Sequence, residues 1–298
     1  MKSTARYLIL LIYVTGINQA TAAPITFNAA LPVGKDEYII REQIIVRELD
    51  GNGSNTDQDL DINAVISVLG YGVTPKFAVF VALPYIDKEL SLTTDEERFT
   101  RSSAGVGDLK IFGRYTFYQH NMRGRAFRLA AFAGIKAPTG DDNKSDRLGR
   151  LPIPLQSGTG SWDGFGGVVA TYQTLDFQID GQLGFQGNGE ANDFEAGDEL
   201  RADVSLQYRL LPQELSTETS GFLYVVLESN IINREHNNVL GVSDSNSGGT
   251  TLFLSPGIQY VTKRLILETA VQIPVIQNLH GNALETDYVY SAGFRVNF

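Results

Sequence analysis

Apolar and polar residues alternate at every second position along most of this chain. In "GDLKIFGRYTFYQ", Leu109, Ile111, Tyr115 and Phe117 share one face, with Lys110, Arg114 and Thr116 on the other. In "LDFQIDGQLGFQ", Leu175, Phe177, Ile179, Leu183 and Phe185 oppose Asp176, Gln178, Asp180, Gln182 and Gln186. "LRADVSLQYRL" sets Leu200, Ala202, Val204, Leu206, Tyr208 and Leu210 against Arg201, Asp203, Ser205, Gln207 and Arg209. A period of two is the mark of a β-strand, and no segment carries the 3.6-residue stripe of a helix. The pattern predicts an all-β chain of about twelve strands, at 38–48, 60–72, 76–85, 107–118, 125–137, 163–173, 175–187, 198–210, 221–231, 250–261, 264–276 and 285–298. At about eleven residues, these strands are roughly twice the usual globular length.

Short connections ("GVTP", "QHNMRG", "QT", "TK") interleave with long ones near 49–59, 86–106, 138–162, 188–197 and 232–249. Segment 277–284 is shorter than the rest of the long set, and "LPQELSTETS" (211–220) is longer than the rest of the short set. An up-and-down meander with its tight turns at one end produces this order. Pro84, Pro138 and Pro274 lie near strand ends, where the ladder stops, whereas Pro256 sits mid-strand and is expected to mark a bulge.

A β-sandwich would alternate too. The long strands, the repeated charged positions on the polar faces and the sorting of turns by length favour a transmembrane antiparallel β-barrel with short periplasmic turns and longer extracellular loops. Tyr38, Tyr71, Tyr85, Tyr115, Tyr118, Tyr172, Tyr208, Tyr260 and Tyr288 fall at expected strand ends, as aromatic girdles require. The last strand, "DYVYSAGFRVNF", sets Tyr288, Tyr290, Ala292, Phe294, Val296 and Phe298 on one face. That face can lie in lipid while the strand pairs with the first and leaves no open edge. The stretch resembles the carboxyl-terminal signature of bacterial outer-membrane barrels. The resemblance implies the barrel-assembly machinery as a partner, reading the strand that ends in Phe298, with outer-membrane lipid and lipopolysaccharide around the wall.

Composition narrows the setting. Lys2 and Arg6 precede the apolar run "YLILLIYV", and Ala20 and Ala22 form an A-x-A site, so residues 1–22 read as a secretory signal peptide cleaved after Ala22. The run is too short for a membrane-spanning helix, which needs ~20 residues. This leaves a segment at 23–37 and one barrel domain at 38–298. Of the 24 basic residues, 22 remain after removal of Lys2 and Arg6, against 34 acids, giving a net charge of −12. Such a balance argues against a nucleic-acid partner. The absence of cysteine excludes disulfides and thiolate metal sites.

The motifs "GVGDLKIFGRYTFY" (105–118), "GIKAPTGD" (134–141) and "LQSGTGSWDGFGGVVATYQ" (155–173) resemble the outer-membrane transporter family labelled "MetA pathway of phenol degradation". Its G-x-G-D-L element matches at Gly105, Gly107, Asp108 and Leu109. Its PTG element matches at Pro138, Thr139 and Gly140, and its G-T-G-x-x-D element at Gly158, Thr159, Gly160 and Asp163. The resemblance hardly touches the first sixty residues. It implies uptake of aromatic or other hydrophobic compounds.

With the apolar parity in lipid, the other parity lines the lumen. The expected basic lining is Arg41, Arg47, Lys110, Arg114, Arg128, Lys136, Arg201, Arg209, Arg264 and Arg295. The acidic lining is Asp61, Asp176, Asp180, Asp203, Glu228, Glu268 and Asp287, and Glu42 breaks the alternation of its strand. Twelve strands ~4.8 Å apart, tilted ~40°, give a backbone diameter of roughly 24 Å and a bore of about 10 Å. Loops or the segment 23–37 could fill it. An excess of arginine over acid would favour anionic solutes, unless the charges only pair across the wall. The expected function is an outer-membrane channel for small solutes, aromatic or anionic ones among them, with no cofactor. One alternative is a structural or adhesive barrel. Another is a lipid-hydrolysing barrel, for which only His120, His236 and His280 are available as bases; they have no metal-ligand spacing and read as solvated loop residues.

Overall fold

The structure, a computed structural model, describes residues 21–51, 58–94, 97–214 and 219–298. Residues 1–20, the bulk of the expected signal peptide, lie outside the described residues. Twelve staves form a barrel: β1 (Tyr38–Asp50), β2 (Gln58–Thr74), β3 (Phe77–Thr94), β4 in two halves (Glu97–Val106 and Leu109–Met122), β5 (Arg125–Ala137), β6 (Asp163–Thr174), β7 (Phe177–Gly187), β8 (Glu199–Leu211), β9 (Gly221–Arg234), β10 (Gly249–Thr262), β11 (Leu265–Leu279) and β12 (Glu285–Asn297). Every neighbouring pair is antiparallel, and β1 pairs with both β2 and β12, which closes the sheet.

Burial runs opposite to that of a soluble protein. Val204 is 56% exposed on the outside, while its neighbour Ser205 is 0% exposed on the inside. Leu183, Leu200, Leu227 and Ile258 are likewise exposed, and Gln178, Gln207, Glu228 and Gln259 are buried. Only an apolar solvent makes such a surface favourable. Tyr38, Tyr115, Tyr118, Tyr208 and Tyr260 are exposed toward the tight-turn end, where the Tyr38 and Tyr71 rings lie 4.9 Å apart. Three of the tight turns share one device. Thr74 Oγ1 accepts from Phe77 N (2.9 Å), Thr174 Oγ1 from Phe177 N (3.0 Å) and Thr262 Oγ1 from Leu265 N (3.0 Å). The hydroxyl satisfies an amide that the ladder has just released.

Two details differ from expectation. Segment 86–106, expected as a loop, is a hairpin that carries β3 and β4 upward, pairing Tyr85–Thr94 with Glu97–Val106. Polar residues on both of its faces hide the period of two. Pro256 does not shift the register; without an N–H it only interrupts the ladder to β11 across Ser255–Pro256. The bulge lies instead where Leu252 faces Ile276 and Phe253 faces Pro274. Glu42 does face outward, and its carboxylate accepts from Ser67 Oγ on β2 at 2.8 Å.

Candidate functional site in the lumen

Residues 21–33 cross the barrel interior without joining the sheet. Ala22 packs on Val261 and Ile266, Ile25 on Val226 and Ala270, Ala30 on Ala130 and Val169, and Val33 on Ala78 and Phe80. The small residues of "TAAPITFNAALPV" let the backbone lie close to the wall. Its polar groups, with no ladder to join, are met by inward side chains. The Glu228 carboxylate accepts from Ile25 N (2.8 Å), Thr26 N (3.0 Å), Thr26 Oγ1 (2.5 Å) and, within the wall, Ser205 Oγ (3.0 Å). Gln259 receives Ala23 N and donates to Ala23 O at 2.6 Å. Thr171 Oγ1 accepts from Ala30 N at 2.9 Å, and Arg41 and Arg114 donate to Ile25 O (2.5 Å) and Leu31 O (2.6 Å). The segment then turns into β1 against Gly72. A Cβ there would stand 1.9 Å from Gly34 O, so the turn requires glycine.

Most expected lumen residues point inward, and most are engaged. Glu268 pairs with Arg41 (2.6 Å) and accepts from Gln259 Nε2 (3.0 Å). Asp203 takes Arg201 Nε and Nη2 (2.8 and 2.9 Å), Gln182 Nε2 and Asn230 Nδ2. Asp180 accepts from the Thr171 hydroxyl and from Gln178 Nε2 (2.8 Å). Arg47 donates to Thr286 Oγ1 at 2.8 Å, and Arg128 reaches Gln173 near the tight turns.

Four positions depart from the expected lining. Arg264 and Asp176 occupy two-residue turns at the rim, both exposed, with Asp176 paired to Arg209 at 2.5 Å. Asp61 shares the outward parity of Val65 and Leu69. A register shift opposite Glu48/Leu49 turns Asp287 outward and brings Thr286 in.

The three family-like motifs converge at the upper rim. β4 breaks at Gly107–Asp108, where Gly107 N donates to Pro84 O at 2.8 Å. Asp108 then turns in and accepts from Gly140 N (3.0 Å), Thr159 N (2.8 Å) and Thr159 Oγ1 (2.8 Å). Lys136 contacts Asp163, Asp108 (3.6 Å) and Thr159 Oγ1 (2.6 Å). Gly140 and Gly158 pass so closely that a Cβ on Gly158 would lie 2.5 Å from Gly140 C. The Gly, Asp and Thr residues thus staple the loop 138–162 to the wall. Lys136, expected to face solute, belongs to that staple.

Two cavities flank the segment. The upper, about 400 Å³, is walled by Phe112, Phe132 and Phe165 with Lys110, Arg201 and Glu199, and Asn28 of the segment lines it too. Lys110 Nζ stands 5.5 Å from the centre of the Phe165 ring. The lower, about 380 Å³, lies between the segment and β1–β4 and β12, with Arg41, Arg114, Arg295, Phe80 and Phe112 in its walls. The inward phenylalanines escaped the alternation argument because they sit on the nominally polar parity.

Inside-out burial, girdles and a closed meander define the class: a membrane β-barrel of the outer-membrane type. The chain belongs to the family described as "Putative MetA-pathway of phenol degradation", whose model matches residues 43–273. An outer membrane channel of Pseudomonas putida F1 shares this fold, with 17% identity and a TM-score of 0.65 over 93% of this chain and all of the other. Weaker likenesses are the beta domain of the Bordetella autotransporter BrkA (10% identity, TM-score 0.47, 89% of this chain and 100% of the other) and the CymD monoaromatic hydrocarbon channel (10%, 0.40, 89% of each). No curated protein sequence matches.

Proposed function

We propose that this protein is an outer-membrane channel for small solutes, aromatic and anionic ones preferred, closed by its own residues 23–33. The observation that carries the reading is how the segment is held. It meets the wall through side chains, with Glu228, Gln259 and Thr171 taking its amides, so it can leave without breaking a single strand pairing. The aromatic and basic walls of both cavities support the solute class, as does the family's description. Export through a signal peptide cleaved after Ala22 would leave Ala23 at the head of the segment. A lipid-hydrolysing role finds less support: the His236 and His280 rings lie 4.3 Å apart, tilted, with each Nδ1 directed at a carbonyl, of Asp244 (3.0 Å) and Ser247 (3.3 Å), rather than at a hydroxyl. The test is planar-bilayer recording of the full-length protein beside a variant lacking residues 23–33. The deletion should produce steady openings where the full chain opens rarely. Silence from both would end the channel reading.

A further inference from the structure

Arg41 on β1 and Arg295 on β12 are direct cross-strand partners, and both face the lower cavity. Like charges placed opposite one another on one face of a sheet repel. Glu268 answers Arg41 at 2.6 Å. Arg295 makes no hydrogen bond or ion pair among the described residues, although residues 21–33 roof the cavity over it. Arg114, in the same cavity, gives one Nη2–H to Leu31 O at 2.6 Å and pairs with no carboxylate among the described residues. Its guanidinium lies 4.7 Å from the centre of the Phe80 ring, which stacks on Phe112 at 4.9 Å. Glu37, an acid in the cavity wall, accepts from Gly34 N at 3.2 Å. The cavity wall therefore holds three guanidinium groups against one carboxylate, with Glu268 engaged on Arg41 beside it, next to an apolar face of two stacked rings.

An unanswered buried cation is costly, and a guanidinium fork matches a carboxylate in two parallel hydrogen bonds. We propose that the lower cavity is a binding site for a small aromatic carboxylate. Its carboxylate would be received by Arg295 and Arg114, and its ring would lie along Phe80 and Phe112. This deepens the channel reading by giving the lumen a defined station and a solute class, yet it does not depend on conduction, because binding is measured without a membrane.

The experiment is equilibrium binding to the full-length protein in detergent micelles by titration calorimetry. Benzoate is the probe, with acetate and benzyl alcohol as partners that lack the ring or the charge. Benzoate should bind at one site per chain, about tenfold or more tighter than either partner, and more weakly as salt rises. Arg295→Gln and Arg114→Gln should each weaken it by about tenfold, while Lys76→Gln, in the exposed β2–β3 turn, should not change it. Folding of each variant is checked by its heat-modifiable mobility, and the salt dependence of the unaltered protein serves should a variant not fold. Non-saturable benzoate uptake, equal affinity for benzyl alcohol, indifference to salt or full binding by Arg295→Gln would each overturn the proposal. A protein that conducts in bilayers but binds no benzoate would refute the site and leave the channel standing.

Discussion

Glu228→Ala tests how tightly the barrel holds its own closure. The Glu228 carboxylate makes three hydrogen bonds to residues 25 and 26, at 2.8, 3.0 and 2.5 Å. An open, hydrated lumen would solvate both the carboxylate and the freed amides, so each bond counts at its net value of about 1 kcal/mol rather than its gross strength. Losing all three weakens docking by about 3 kcal/mol, which multiplies the ratio of undocked to docked chains by roughly 100 to 200. Single-channel recording reads this ratio as open probability, and the variant should open at least ~100-fold more often while keeping the unitary conductance. Glu228→Gln, which retains one accepting oxygen, should fall in between. The reasoning fails if Glu228→Ala folds, shows the native heat-modifiable shift and opens no more often than its parent.

Other consequences are equally concrete. Arg114→Ala removes a lumen cation and should shift bi-ionic reversal potentials toward cations; unchanged selectivity in an open variant would contradict its placement. Gly72→Ala forces a methyl against Gly34 O and should loosen the root of the segment, seen as faster proteolysis within residues 21–37 with the barrel intact. Asp108→Ala removes the acceptor of Gly140 N, Thr159 N and Thr159 Oγ1, costs on the order of 3 kcal/mol and should expose the loop 138–162 to protease. In that loop, the Arg101 guanidinium holds the Asp146 carboxyl below its usual range. A depressed folded value means that the tie is complete above the ordinary carboxylate range and is lost as pH falls through the lower value. Protection of the Leu148 amide, which donates to Asp146 Oδ1, taken relative to its intrinsic exchange rate, should therefore persist until the medium is more acidic than free aspartate requires.

The fold was legible because each strand has one face in lipid, which enforces strict alternation, and all twelve expected strands are found. Legibility ended where that constraint ends. Above the girdle, the 86–106 hairpin has water on its outer side, so polar residues occupy both faces and the segment reads as a loop. Asp287 was misplaced because one shifted register reverses every facing that follows. The lumen charges were mostly identifiable by parity, but not their partners. Glu228 reads as one acid on a polar face, and nothing in "VVLESN" reveals that its carboxylate grips residues 25 and 26. The "GDL", "PTG" and "GTG" motifs were visible as patterns, whereas their shared purpose emerges only when Asp108, Gly140 and Thr159 meet.

The docking of residues 23–33 also constrains the order of assembly. Ala23 meets Gln259 across 236 positions of sequence, Ile25 meets Glu228 across 203, and Ala30 meets Thr171 across 141. Glu228 and Gln259 lie on the paired strands β9 and β10, and Thr171 on β6, so the seat is complete only once these late strands have paired into one wall. The amino-terminal stretch therefore cannot take its full seat before strands near the other end of the chain exist: a cork that waits for its bottle.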